Sequence, residues 1–199
     1  MTIGRFLIVP EGCRPGASRC GRCLIRVRFG QAFGTGEHAS TRLCLRLLEK
    51  HLRPGANVAD LGTGSGILAM AACQLGARRV IAVDDDEVAL GVASANLRDN
   101  DLQRRVRLVR ADAASTSDRG PFDLVLVNIG ASTIARIVPD LAASLRPRGL
   151  AILSGILVDD EEKLLRGAAL FGLRRIDGRR SLPWTALVLQ RIHRRLRPS

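Results

Sequence analysis

Aromatic side chains are scarce in this sequence: they make up 3% of its 199 residues, and tyrosine is absent. Proteins that hold single-stranded nucleic acid by base stacking need aromatic platforms, so direct nucleic-acid binding is not favoured as the main function. Long apolar runs are absent too, and no stretch is long enough to cross a membrane. The opening residues, "MTIGRFLIVPEGCR", lack the basic start and long apolar segment of a signal peptide.

Cysteine is uncommon and odd in number, with residues at positions 13, 20, 23, 44 and 73. An odd count without a secretion signal predicts reduced thiols and a cytoplasmic location. The "CGRC" of residues 20–23, with Cys13 upstream, is reminiscent of a zinc knuckle. A closed zinc site needs four regularly spaced ligands, and no second cysteine pair follows. We therefore expect free thiols and no bound metal.

Lysine is nearly missing, since only Lys50 and Lys163 occur, yet the formal net charge is +12. The positive electrostatic field of such a charge attracts polyanionic partners such as RNA, the ribosome or acidic proteins. The alternative is an arginine bias that reflects genome composition. If the charge serves a ribosomal substrate, the basic end of the chain, "RIHRRLRPS" at 191–199, is the segment expected to attract it.

The sequence does have a folding pattern, with 46% hydrophobic residues and a length that suits one domain. Strand-like and helix-like segments alternate from residue 57 onward. Strands are predicted at 57–61, 79–84, 105–110, 123–128, 149–155, 173–180 and 185–192. Helices are predicted at 39–52, 66–76, 87–100, 132–145 and 159–170.

This alternation predicts an α/β fold with a Rossmann-like, doubly wound, mostly parallel seven-stranded sheet. Only "GRRSLPW" separates the last two strands, so they are predicted to form an antiparallel C-terminal hairpin. Short strands are expected at 5–9 and 24–28. We interpret residues 1–30 as a short N-terminal appendage and residues 31–199 as the main domain.

The segment "VADLGTGSGI" places Gly62, Gly64 and Gly66 between a strand and a helix. Ligands of open α/β sheets bind at the carboxyl ends of the strands, and glycine lets the backbone approach them closely. The G-x-G-x-G spacing differs from the G-x-G-x-x-G of dinucleotide enzymes. A nicotinamide enzyme is therefore the alternative, and S-adenosylmethionine is the favoured cofactor.

Two acids follow at the ends of the next strands. Asp84 is placed to accept hydrogen bonds from the ribose hydroxyls, and Asp112 to accept one from the adenine amino group. Asp85 and Asp86 have the position of helix-start acids. No nearby group demands a phosphate, which again favours S-adenosylmethionine.

A second glycine-rich loop, "QAFGTGEHAST" at residues 31–41, precedes the first helix of the domain. The N–H groups at a helix start favour a carboxylate, so this loop and the first one are predicted to hold the methionine end of the cofactor. We expect residues 31–41 to close over it.

Four segments resemble the PrmA-type ribosomal-protein methyltransferases: "AFGTGEHASTRLCL", "DLGTGSGILAMAA", "LVNIGA" and "LSGIL". The resemblance implies the class I methyltransferase fold, with cofactor contacts at Thr41, Gly62, Asp84 and Asn128. Those enzymes trimethylate the eleventh protein of the large ribosomal subunit, so it also implies methylation of a protein, possibly a ribosomal one.

The sequence departs from the family pattern at Glu37, Ala39, Ser40 and Gly130. The family also carries a separate N-terminal domain that grips the substrate, and we expect this chain to lack it, because its length leaves no room. The resemblance therefore predicts the cofactor better than the substrate.

Methyl transfer to an amine requires alignment and an uncharged nitrogen. An apolar slot is predicted near Phe33, Ile129 and Gly130, where a backbone carbonyl or that of Asn128 orients the amine. His38 and Glu37 are the candidates to help remove its proton. Three functions remain open: a methyltransferase for a lysine or N-terminal amine of a protein, a small-molecule methyltransferase, and a non-enzymatic cofactor-binding or ribosome-associated module. The glycine loop and Asp84 argue against the third.

Overall fold

The computed structural model describes residues 1–13, 22–28, 37–115 and 119–192. The strands are β1 Thr2–Ile3, β2 Phe6–Pro10, β3 Cys23–Val27, β4 Asn57–Leu61, β5 Arg79–Asp84, β6 Val106–Arg110, β7 Phe122–Asn128, β8 Leu145–Leu157, β9 Leu173–Ser181 and β10 Trp184–Arg191. The α-helices are α1 Ala39–His51, α2 Ile67–Gln74, α3 Glu87–Asp99, α4 Ala131–Ser144 and α5 Glu161–Leu170.

Seven strands form the main sheet, in the order β6-β5-β4-β7-β8-β10-β9. Strands β4 to β8 pair in parallel, whereas β10 is antiparallel to both β8 and β9. The predicted mostly parallel sheet with an antiparallel C-terminal hairpin is confirmed. Strand order reverses at β4, because β5 and β6 lie on one side of it and β7 and β8 on the other.

Helix α2 is buried over most of its length, from Ile67 to Cys73. Its residues are small and apolar on every face, which is typical of a helix covered on all sides. One covering layer is a second, smaller sheet of β1, β2 and β3, in which β2 and β3 are parallel. The helix ends as predicted at Gly76 (φ 94°), whose N–H donates to Cys73 O, while Ala77 N–H donates to Ala72 O.

The small sheet contributes to the same hydrophobic core as α1 and α2. Phe6, Ile8, Ile25 and Val27 are buried there, together with side chains of both helices. The division into residues 1–30 and 31–199 stays a prediction. None of the helices within the described residues is long and apolar enough to cross a membrane.

Candidate active site

A cavity of about 650 Å³ opens at the carboxyl ends of β4, β5 and β7. This is the place where strand order reverses. Loops that follow strands on the two sides of such a point diverge and leave a crevice. The cavity therefore lies where the sequence predicts a ligand.

The glycine loop after β4 forms one wall of the cavity. All three glycines have positive φ, 68° at Gly62, 54° at Gly64 and 79° at Gly66, a region that side chains disfavour. A Cβ on Gly62 would lie 2.5 Å from Cγ2 of Ile129, so this glycine is required by space as well. Gly62 and Gly64 line the cavity.

Gly66 lies behind the loop, outside the cavity lining. It is the N-cap of α2, and a Cβ there would lie 3.3 Å from the Cβ of Ala93 in α3. The third glycine of the motif therefore allows close packing of α2 on α3.

Asp84 ends β5 and lines the cavity beside the glycine loop. Its Oδ2 accepts a hydrogen bond from Gly64 N (2.9 Å), and its Oδ1 accepts one from Asp86 N (3.1 Å). Asp86 caps α3 by accepting from Val88 N (2.8 Å), as expected of a helix-start acid. The backbone thus fixes the orientation of the Asp84 carboxylate.

Asp112 also lines the cavity, but its carboxylate already has partners. Ala114 N donates to Oδ1 (2.9 Å), and Arg136 contacts both oxygens at 3.1 and 3.3 Å. The Ala114 hydrogen bond and the Arg136 guanidinium lower the pKa of Asp112. An adenine amino group would share this carboxylate with Arg136.

The cavity wall is acidic. Asp84, Asp85, Asp86 and Asp112 all line it, and Arg136 is the only arginine or lysine among the described lining residues. Because Arg136 is paired with Asp112, the wall offers little attraction to a phosphate.

Behind the glycine loop lies a buried acid that sequence reasoning missed. Asp60 accepts hydrogen bonds from Thr63 Oγ1 (2.7 Å) and Ala69 N (3.1 Å). Burial raises the pKa of Asp60 to about 6. A charged residue within the buried strand "NVADL" was the available signal.

Asn128 ends β7 and lines the cavity. Its Nδ2 donates to Oγ1 of Thr41 (3.1 Å), a fully buried side chain in the first turn of α1. Its Oδ1 is buried and has no hydrogen-bond partner, the only such side-chain atom among the described residues. Thr41 therefore supports Asn128 from behind and does not line the cavity.

His38 lines the cavity and is the N-cap of α1. Its Nδ1 accepts from Ser40 N (3.3 Å) and lies 2.7 Å from Ser40 Oγ. The indole of Trp184 packs edge-on against the imidazole, with ring centroids 4.7 Å apart. Trp184 also lines the cavity, and the sequence analysis assigned no role to it.

Ser154, on β8, connects the start of α1 to the neighbouring strand β10. Its Oγ lies 3.2 Å from both Ser40 O and Thr185 O. The next residue, Gly155, has φ 79° and lines the cavity, and a Cβ there would lie 2.4 Å from Ile129 O. The segment "LSGIL" thus contributes a close backbone approach.

Ile129 and Gly130 of the predicted apolar slot line the cavity. Phe33 lies outside the described residues, and so does most of the loop 31–41 that is predicted to close over the cofactor. Within the described part of the chain, no cluster of three or more His, Cys, Asp or Glu could hold a metal. Cys13, Cys23, Cys44 and Cys73 are free thiols, and Cys20 is outside the described ranges.

Comparison with known proteins now adds to this geometry. The family model for "Ribosomal protein L11 methyltransferase (PrmA)" matches residues 1–192. The chain belongs to the PrmA family. Its resemblance to these enzymes, inferred from four short segments, is confirmed.

Individual relatives of this PrmA-family chain agree. The ribosomal protein L11 methyltransferase of Pelotomaculum thermopropionicum is 46% identical over 80% of this chain and 51% of its own length. That of Symbiobacterium thermophilum is 40% identical over 94% of this chain and 60% of its own length. The chain therefore spans only about half to three fifths of these curated relatives.

A solved structure of a ribosomal protein L11 methylase from Lactobacillus delbrueckii subsp. bulgaricus superposes with a TM-score of 0.86. It is 32% identical in sequence, and the match covers 96% of each chain. A methyltransferase from Burkholderia thailandensis, 22% identical with a TM-score of 0.67, shares the fold. The class I methyltransferase fold expected from the sequence is thereby confirmed.

Proposed function

We propose that this chain is an S-adenosylmethionine-dependent N-methyltransferase that acts on an amino group of a protein. Its first candidate substrate is ribosomal protein L11, the protein named for its relatives. The cytoplasmic location expected from the sequence stays a prediction.

The cavity chemistry fits this cofactor better than a dinucleotide. S-adenosylmethionine carries two cations, the sulfonium and the ammonium, against one carboxylate, whereas a dinucleotide carries a pyrophosphate. Four carboxylates line the wall, and its one arginine is already paired. Gly62 and Gly64 leave room for close approach of a ligand to the backbone, and the oriented Asp84 carboxylate suits the ribose hydroxyls. When bound, the cofactor supplies an electrophilic methyl group.

The observation that carries the proposal is the unpartnered Oδ1 of Asn128. Buried acceptors are nearly always hydrogen-bonded, and leaving one unmet costs about 1–3 kcal/mol. Thr41 accepts from Nδ2, which turns Oδ1 away from that contact. An N–H donor arriving in the cavity satisfies this atom, so Oδ1 orients the amine and its lone pair toward the methyl group.

The amine must lose its proton before transfer, because only the neutral nitrogen is nucleophilic. Ile129 and Gly130 place an apolar surface beside Asn128, and desolvation lowers the pKa of an amine. Nδ1 of His38 caps α1. Because His38 also lines the cavity, it is the candidate to accept the proton that the amine loses.

A protein substrate is supported by the family and by the charge of the chain. The net charge of +12 raises encounter with ribonucleoprotein surfaces. The basic end at 191–199, to which the sequence analysis assigned this attraction, lies outside the described residues from 193 onward.

The direct test is methyl transfer from radiolabelled S-adenosylmethionine to purified L11, with a pool of small-molecule amines assayed in parallel. We expect label in the protein, on a lysine or N-terminal amine identified by mass spectrometry. Asn128→Ala should abolish most of this label, while Asp85→Asn, a charge change on the opposite wall, should retain it. Label confined to small molecules, or no label despite cofactor binding, would refute the proposal.

A further inference from the structure

An arginine-lined groove lies next to the cavity, between α1 and the edge strand β9. Its volume is about 380 Å³, and four of its lining residues are arginines: Arg42, Arg46, Arg179 and Arg180. We define these four residues as the arginine groove. The proposed methyl transfer uses none of them.

Three of these guanidiniums are unneutralised. Arg180 is paired with Glu161 at 3.1 Å. Arg42, Arg46 and Arg179 are exposed, and no described carboxylate lies within ion-pair distance of any of them. Arginines on an edge strand can serve to prevent sheet-to-sheet aggregation. That reason does not apply to Arg42 and Arg46, which lie on a helix.

Arg42 and Arg46 are four residues apart on the exposed side of α1. Like charges at this spacing destabilise a helix by about 0.2–0.5 kcal/mol. Their Cβ atoms are about 6 Å apart at the helix surface, so both guanidinium groups can reach the same anionic chain. An anionic chain lying along α1 would relieve the repulsion.

The groove begins where the cavity ends. Glu37 and Ala39 line its near end, and His38 between them lines the cavity. Glu37 is the one acid among the described lining residues of the groove, and it lies at this end. A ligand in the groove would thus pass beside the mouth of the active site.

We propose that the arginine groove binds the phosphodiester backbone of RNA. Protein partners are usually held by buried apolar or aromatic anchors. Among the described residues that line this groove, the only large apolar side chain is Leu43, which is itself buried. Guanidinium groups match phosphate oxygens in a bidentate manner, and phosphate contacts need no aromatic residues. The scarcity of aromatics argues against base stacking and not against this mode of binding.

This inference extends the proposed function and does not rest on it, because binding is measurable without methyl transfer. The probe is a fluorescein-labelled oligouridylate, titrated with the full chain by fluorescence anisotropy. The test variant is Arg42→Gln/Arg46→Gln/Arg179→Gln. The matched control is Arg53→Gln/Arg104→Gln/Arg107→Gln, which removes the same charge at exposed positions outside the groove.

We expect the groove variant to lose affinity on the order of tenfold at about 0.1 M salt, and the steepness of log K against log salt to fall by about 2, as for three lost phosphate contacts. The control variant should lose less than half as much affinity, and its slope of log K against log salt should fall by less than half as much. Equal losses in both variants would mean that only the overall charge matters and would overturn the proposal. So would an absence of binding by the wild-type chain.

Two further measurements keep the test decisive. Polyglutamate that displaced the RNA as well as unlabelled oligouridylate does would assign the groove to acidic proteins and contradict the RNA proposal. Photocrosslinking from a 4-thiouridine probe to the wild-type chain should label peptides from α1 and β9, which needs no variant to fold. Crosslinks confined to other peptides would also overturn it. Binding of S-adenosylhomocysteine should be the same in both variants.

Discussion

At the junction between α3 and the small sheet, the amides of Asn96 and Asn100 are fully used, whereas at the cavity Asn128 leaves its Oδ1 unmet. Asn100 accepts from Arg26 N (2.8 Å) and donates to Arg26 O (2.7 Å). Asn96 accepts from Arg28 N (2.9 Å) and donates to Ser65 O (2.8 Å). Asn96 lies within α3, Asn100 is the C-cap of that helix and Asn128 ends β7, and all three are buried or half-buried.

The difference between these regions separates structural polar groups from functional ones. The side chain of Asn100 pairs with both backbone groups of Arg26 in β3, and that of Asn96 joins Arg28 N to Ser65 O. The amide oxygen and nitrogen of each therefore have partners in the folded chain alone. Asn128 lines the cavity and is held by one side-chain contact, and its buried Oδ1 has no partner. An acceptor left unmet in a fold that satisfies its neighbours indicates where a ligand completes the structure.

The comparison predicts its largest effect at Asn128. Asn128→Ala should lower kcat by about 10²–10³-fold, the cost of removing one oriented hydrogen-bonding group from other active sites. The free energy of unfolding should change by less than about 1 kcal/mol, because removal of the unmet buried Oδ1 offsets the loss of the hydrogen bond from Nδ2 to Thr41. Single-turnover methyl transfer and urea denaturation measure the two quantities. A variant that retained its rate would place Asn128 with the structural asparagines.

A smaller loss is expected on the other wall of the cavity. Asp84→Asn removes one charged acceptor for a ribose hydroxyl, a hydrogen bond worth about 1.5–3 kcal/mol. Calorimetry with S-adenosylhomocysteine should show a dissociation constant raised by about 10–100-fold. Asp85→Asn, the same charge change one residue further on, is the control and should alter affinity by only a few-fold. Equal effects of the two variants would mean that Asp84 contributes to affinity only through its negative charge and not through a specific hydrogen bond.

Much of the main fold could be predicted because the signals are local. A few residues of sequence are enough to recognise an apolar strand, a helix of regular period or the helix-ending glycine at position 76. Gly62, Gly64 and Asp84 could be predicted as cavity residues because a parallel sheet brings consecutive strand ends to one edge. The position of Asn128 at the end of β7 follows from the same rule.

The features that could not be predicted depend on contacts between segments that are far apart in the sequence. The support of Asn128 by Thr41 joins residues 87 positions apart. Gly66 packs closely against Ala93 in the next helix, and the packing of Trp184 on His38 joins the last strand to the first helix of the domain. None of these contacts can be recognised from the periodicity of the sequence. The burial of α2 beneath the small sheet likewise gives residues before 31 a share of the core.

Asp60 lies between the structural and the functional polar groups. Its carboxylate has hydrogen-bond partners, but it is buried away from water. Burial raises its pKa from 3.8 to about 6. The folded state therefore holds this proton more tightly, and the resulting stabilisation is fully present below about pH 3.8 and lost as pH rises through about 6. The free energy of unfolding of the wild type, relative to Asp60→Asn, should fall by about 3 kcal/mol over this window. Urea denaturation at several pH values measures it, and parallel pH profiles for the two proteins would mean that Asp60 titrates normally.

The smallest effect is expected for Asn100, one of the two asparagines with a structural role. Asn100→Ala removes the partners of Arg26 N and Arg26 O, which are only partly buried, so it should lower the free energy of unfolding by about 1–2 kcal/mol. Affinity for S-adenosylhomocysteine should be unchanged, because Asn100 lies away from the cavity lining. Gln103→Ala, an exposed amide just beyond α3, is the matched control and should stay within about 0.5 kcal/mol of wild type. A loss of cofactor affinity in Asn100→Ala would mean that the small sheet and the cavity are coupled through α3, and the division between structural and functional asparagines would no longer hold.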